Sequence, residues 1–114
     1  MMPAGYQELF LEQGSNFSTS ITLDQADGSP FTLTGSQIKA AMKKSYYSSS
    51  TTANFVVTVN DPTEGIILLS LPYANTANIS AGRYVYDVLI KDSSNTVIRV
   101  LEGVVNVLPQ VTVF

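Results

Sequence analysis

The sequence contains no cysteine, no histidine and no tryptophan. Without thiols there are no disulfides and no thiolate nucleophiles, and without imidazole the usual general base and the usual zinc ligand are missing as well. Redox chemistry therefore says nothing about the compartment. Charge is scarce too: six Lys and Arg stand against nine Asp and Glu, a charged fraction of 13% and a net charge of −3. Phosphate binding needs clustered cations, so this balance argues against a nucleic-acid partner. No stretch approaches the roughly 20 apolar residues that span a bilayer, and the opening MMPAGYQELF has no basic region followed by an apolar run. Neither a membrane partner nor a secretory signal is expected. A nucleophile elbow of the Gly-x-Ser-x-Gly type and glycine-rich phosphate loops are also absent. The expectation is a protein that is not an enzyme, with no catalytic residue, no cofactor and no metal.

What remains is a chain of 114 residues, 45% of them hydrophobic, which suits one domain with a real core. With so few charges the surface must be largely Ser, Thr, Asn and Gln. Such a surface repels its own kind weakly and suits packing into an assembly.

The most ordered stretch is 82–108. Tyr84, Tyr86, Val88 and Ile90 fall on one side and Arg83, Val85, Asp87, Leu89 and Lys91 on the other, the period of a strand with one buried face. Asp92 to Asn95 supply turn formers, and a second β-branched run follows. Together they predict a long hairpin. In its second arm Ile98 and Val100 share one parity while Val105 and Val107 share the other. A one-residue change of facing at a glycine predicts a β-bulge near Glu102 and Gly103.

The rest of the chain is expected to pack around this hairpin. Residues 1–5 predict a loose arm broken by Pro3 and Gly5. Residues 6–12 predict a first strand with Leu9 and Leu11 on one face, and 17–23 a second with Phe17, Thr19, Ile21 and Leu23 alternating with polar residues. A connection dense in turn formers, including Asp27-Gly28, occupies 24–30, and a short extended piece ends at Gly35. Residues 37–44 are ambiguous between helix and strand; the β surroundings and the short length favour strand, with the lysines on its wet face. A polar loop led by Tyr46 and Tyr47 follows. Residues 54–60 predict a strand with Phe55, Val57 and Val59 inward, then a turn at 61–65. Residues 66–71, apolar on both sides apart from Ser70, predict a central or covered strand. Pro72 opens a single helical turn. After Leu108 the chain stays apolar through Val111, Val113 and Phe114, a tail that pairs with an edge strand or docks on a neighbour.

This pattern predicts an all-β, immunoglobulin-like antiparallel β-sandwich of about seven or eight strands with one short helical turn. The domain spans 6–108, between a flexible arm at 1–5 and an apolar tail at 109–114. A five-stranded barrel is the structural alternative.

Three clusters invite a chemical reading. Asp24 with Asp27, and Asp61 with Glu64, could offer oxygens to calcium, but no EF-hand spacing is present and turn formation accounts for them. Asp87 could serve recognition or catalysis; a cross-strand ion pair with Arg99 is the simpler account. Lys43-Lys44-Ser45-Tyr46-Tyr47 joins charge to aromatic rings that could stack on sugar or single-stranded nucleic acid, although two lysines in an acidic chain make a weak field.

A series of short motifs runs through most of the length: Gln13-Gly14-x-x-Phe17; Asp27-Gly28 followed by Leu33-Thr34-Gly35; Gln37-Ile38 leading to KSYYSS from Lys44; the 65–71 strand; GRYVYDV from Gly82; and RVLEG from Arg99, ending in Val111-Thr112. In order and spacing the series resembles a widespread family of small tailed-bacteriophage virion proteins, with the KSYYSS form similar to versions in T4-like phages of aquatic bacteria. The resemblance implies an immunoglobulin-like, non-enzymatic structural module in the virion. Its expected partners are capsid, neck, tail or fibre proteins, and it is expected to repeat as symmetric copies. Where the family pattern ends in a basic residue this chain has Val113-Phe114, which favours a docking tail over a further downstream domain. The candidate interaction residues are Val111, Val113, Phe114, Tyr46 and Tyr47. The alternative function is a carbohydrate-binding module in which Tyr46, Tyr47 and Tyr73 stack on a host-surface glycan. A hydrolase built on carboxylates is a distant third.

Overall fold

The alternation along 84–90 does what its period requires. Tyr84, Tyr86, Val88 and Ile90 are buried, while Leu89 and Lys91 face solvent. In the computed structural model, which describes residues 5–24 and 32–114, nine strands and one helical turn follow in order. They are β1 (Gly5–Tyr6), β2 (Leu9–Glu12), β3 (Phe17–Thr22), β4 (Gln37–Lys43), β5 (Ala53–Asn54), β6 (Val56–Asp61), β7 (Ile66–Leu71), α1 (Tyr73–Thr76), β8 (Gly82–Lys91) and β9 (Val97–Leu108). The turn expected at 24–30 lies, beyond Asp24, outside the described residues, as does Phe31.

Two sheets result. One runs β1-β9-β8-β4-β5, with β2 continuing β1 along the same edge of β9; the other runs β3-β7-β6. The fold is an immunoglobulin-like β-sandwich. Between the sheets lies a core built from Leu9, Leu11, Ile21, Met42, Ile67, Leu69, Leu71, Tyr86, Val88, Val105 and Val107, among others. Phe55 joins the layers, its ring 5.9 Å from Phe17 and 6.1 Å edge-on from Tyr86. Residues 37–43 form a strand, with Ala40 and Met42 inward. β7 is central in its sheet, which explains why its sequence is apolar on both faces.

Four expectations need correction. The sheets are not wholly antiparallel: β1 and β2 run parallel to β9, with Gly5 opposite Leu101 and Leu9 opposite Val105. The stretch 54–60 is not one strand, because the chain changes sheets at Phe55. β5 pairs with β4, and β6 pairs with β7. Val59, expected inward, is 41% exposed near a register shift between Val59 and Asp61. The bulge in β9 lies earlier than Glu102 and Gly103: Val88 faces Leu101 and Leu89 faces Arg99, so Val100 is the extra residue.

Gly103 has a different role. It sits on the core face opposite Tyr86, and a Cβ there would collide with the Gln7 carbonyl. The N-terminal strand is interrupted at this level between β1 and β2, and the Gln7 carbonyl turns inward to accept a 2.6 Å hydrogen bond from the Tyr86 hydroxyl. The Gln7 amide donates to the Glu102 carbonyl at 3.0 Å, so both backbone groups of Gln7 are satisfied. Burial pushes the Tyr86 phenol well above the usual tyrosine range, with Tyr6 adding to the shift.

Replacing Gly103 by Ala forces the Gln7 backbone out of its seat and is expected to cost about 1–3 kcal/mol in denaturant unfolding. Tyr86→Phe should cost about 1 kcal/mol by leaving the Gln7 carbonyl unbonded. A phenol held neutral in the fold resists losing its proton, whereas the unfolded chain loses it near pH 10. Stability from this group is therefore intact below about pH 10 and falls as pH rises above it. Unfolding measured between pH 8 and 11 should show a shallower decline for Tyr86→Phe than for the parent.

Candidate functional site

The apolar tail leaves the sandwich at the end of β9, and its root is fastened by one side chain. Gln13 donates from Nε2 to the Ile79 carbonyl at 2.9 Å, and its Oε1 accepts from the Gln110 amide at 3.2 Å. The Gln13 amide donates to the Leu108 carbonyl at 2.9 Å. Gly14, at φ +79°, makes the turn that brings this side chain round, and the Gln110 side chain lies against it. Next to the turn stands α1, whose Tyr73 amide is capped by Asn16 Oδ1 at 2.7 Å. The fully buried Thr76 hydroxyl donates to the Ser15 carbonyl at 2.8 Å. Gln13 was not among the candidate residues; the Gln-Gly pair in the motif series was its signal.

Beyond this root, residues 109–114 join no strand among the described residues. Val111 is 98% exposed, and Val113 and Phe114 are open as well. With Tyr73, Ala74 and Ala77 of the helical segment they border an open groove of about 420 Å³.

Tyr46 and Tyr47 lie elsewhere. Tyr46 borders a depression of about 350 Å³ on the outer face of the larger sheet, with Ala41, Lys43, Val85, Asp87, Leu89 and Arg99. Tyr47 stands 98% exposed in the loop after β4. Tyr73 belongs to the tail groove, so the three tyrosines of the carbohydrate reading do not share one depression.

Asp87 and Arg99 form the expected cross-strand pair, Nε to Oδ2 at 3.4 Å, and Arg99 Nη1 also reaches Glu102 Oε2 at 3.1 Å. That hydrogen bond, foremost, raises the guanidinium further above its already high range. Both partners are partly exposed, so the pair is worth about 0–1 kcal/mol. Asp61 is engaged in its own turn, accepting from the Thr63 amide and hydroxyl and from the Glu64 amide. Among the described residues no three acidic side chains gather where a metal could sit, and no helix is long and apolar enough to cross a membrane.

The register shows what inspection of separate segments missed. All six basic residues lie on β4, β8 or β9, or directly after β4, and five of them (Lys39, Lys43, Arg83, Lys91 and Arg99) occupy the outward parity of the larger sheet. The same face carries exposed Tyr6, Phe10, Leu89, Val97 and Leu108. Phe10 alternates with buried Leu9 and Leu11, so its outward facing was readable from parity alone.

No protein-family model matches the chain, and no match to a curated protein is found. Among solved structures, CopC from Methylosinus trichosporium OB3b is similar with a TM-score of 0.51 at 9% identity, covering 98% of this chain and 92% of that one. An internalin-like protein of Listeria monocytogenes aligns with a TM-score of 0.49 at 17% identity, over 92% of this chain and 28% of that one. At such identity the likeness to CopC concerns the fold alone: this chain is built as a β-sandwich of the same general plan.

Proposed function

We propose that the chain is a non-enzymatic structural component of a tailed-phage virion, mediating protein–protein contacts at the capsid surface, the neck or the tail and baseplate fibre attachment. The observation that carries this reading is the tail. Its root is held by Gln13, while Val111, Val113 and Phe114 present their side chains to solvent. Large apolar groups held out from a rigid root suit insertion into a neighbouring protein. The motif series through residues 13–112 supports the virion setting, and the weakly charged surface suits a repeated, symmetric component.

A second reading rests on Tyr46. An exposed ring beside Lys43, Asp87 and Arg99 combines an aromatic platform with polar groups that could hold a sugar of a host-surface glycan.

Burying one large apolar side chain is worth about 1.5–3 kcal/mol, so removing residues 111–114 should weaken docking more than tenfold. Mass spectrometry of purified particles carrying the truncated chain should show depleted incorporation, with the isolated protein still folded by circular dichroism. Full incorporation of the truncated chain, or absence of the intact chain from particles, overturns the proposal. On a glycan array the intact chain is expected to give no signal; binding abolished by Tyr46→Ala would favour the second reading.

A further inference from the structure

The outer face of the larger sheet changes charge from one edge to the other. The N-terminal edge strand contributes Glu8 and Glu12; β9 contributes Arg99 and Glu102; β8 contributes Arg83, Asp87 and Lys91; β4 contributes Lys39 and Lys43. Net charge across these four of the sheet's five positions thus rises from negative, through neutral, to positive, and β5, paired with part of β4 beyond them, adds none. The Glu8 carboxylate is held on this face by Asn106 Nδ2 at 2.7 Å. Between the charged edges lies an apolar strip of Val85, Leu89, Val97 and Val104, exposed or half-buried. Among the described residues the only ion pairs are those of Arg99, so the two edges carry uncompensated charge of opposite sign.

We propose that this face binds the same face of a second copy, through a two-fold axis running parallel to the strands between β8 and β9. That axis lays the acidic edge of each protomer on the basic edge of the other, twice. An axis across the strands would instead set like edges together. The register gives the pairing its detail. Lys43, Val85 and Val104 lie in one cross-strand row, and the row continues to the level of Glu8, just before Leu9 opposite Val105. Rotation about the proposed axis sets Glu8 against the partner's Lys43 and Val104 against the partner's Val85. In the next row Tyr6, Glu102, Asp87 and Ala41 are level. The Tyr6 ring, 65% exposed, then meets the depression lined by Ala41 and Asp87. Arg99 bridges Asp87 and Glu102 within each chain, which tempers the one row where carboxylates would meet.

The size of the face also fits. Four strand positions about 4.8 Å apart and strands about 30 Å long give a patch that, with side-chain relief, approaches the roughly 800 Å² per partner of a standard interface. A C2 pair needs a self-complementary patch, and a surface whose charge reverses across its middle is one. The contact does not use residues 111–114, so it stands or falls apart from the tail's role.

Sedimentation of the full chain from about 1 to 200 μM tests the proposal. The expected result is a dimer whose dissociation constant rises at least tenfold between 50 mM and 500 mM salt. Lys39→Glu with Lys43→Glu should give a monomer, as should Glu8→Lys with Glu12→Lys. Mixing the two monomeric variants should restore a one-to-one dimer, because each then offers the sign the other needs. A monomer throughout, a dimer indifferent to both charge reversals, or a failure of the mixture to pair, with each variant folded by circular dichroism, overturns it. A dimer lost only on deleting residues 111–114 also overturns it and assigns self-association to the tail.

Discussion

The Gln7 carbonyl lodged against Gly103 is the contact on which the larger sheet depends. A side chain at position 103 would leave no room for it, and without the Tyr86 hydroxyl the carbonyl would be a buried, unbonded acceptor. Where the two conditions meet, the N-terminal strand can run alongside β9 past Gly103 and pair with it both before and after that residue. That pairing brings Leu9 and Leu11 over the core and aligns Glu8, Phe10 and Glu12 along the outer face. It also delivers the chain to Gln13 and Gly14 at the place where they can hold the root of the tail. One missing Cβ therefore sets the sheet edge, part of the core and the geometry of both candidate surfaces.

Much of the fold was legible because its strands obey a period of two with one wet face. The hairpin of β8 and β9, the strand nature of 37–43, the central place of β7 and the helical turn after Pro72 all follow from local pattern. The departures share a cause: each depends on the strand that a segment pairs with and not on the segment's own pattern. Nothing in 54–60 announces that the chain crosses between layers at Phe55, because the crossing is dictated by which neighbours await it. The bulge at Val100 was foreseen in kind but displaced, since the change of parity between Val100 and Val105 does not say which residue is left over. Gly103 drew attention for a bulge, yet it is glycine because another strand's backbone comes against it.

The candidate surfaces divide in the same way. The apolar character of Val111, Val113 and Phe114 was plain in the sequence, and so was the ion pair of Asp87 with Arg99, which sit close across a tight hairpin. Gln13 was marked only by its place in the Gln-Gly pair, and nothing local says that its amide spans two other segments. The charge order across the sheet was hidden more deeply. Six cations scattered from position 39 to position 99 look sparse in a line of text, and only the register of β4, β8 and β9 collects five of them on one face.

The parallel pairing of the N-terminal strand with β9 has a consequence for the birth of the molecule. The partner of the first strand lies far along the chain, so the edge of the larger sheet stays open until β9 has been made. During that interval Leu9, Phe10 and Leu11 have no seat of their own, and an extended apolar segment in that condition is drawn to any unpaired strand nearby. In a crowded setting where many copies are made together, the nearest such strand can be the β9 of a neighbouring copy. Interlocked chains that have traded their first strands are thus the characteristic error this topology must avoid.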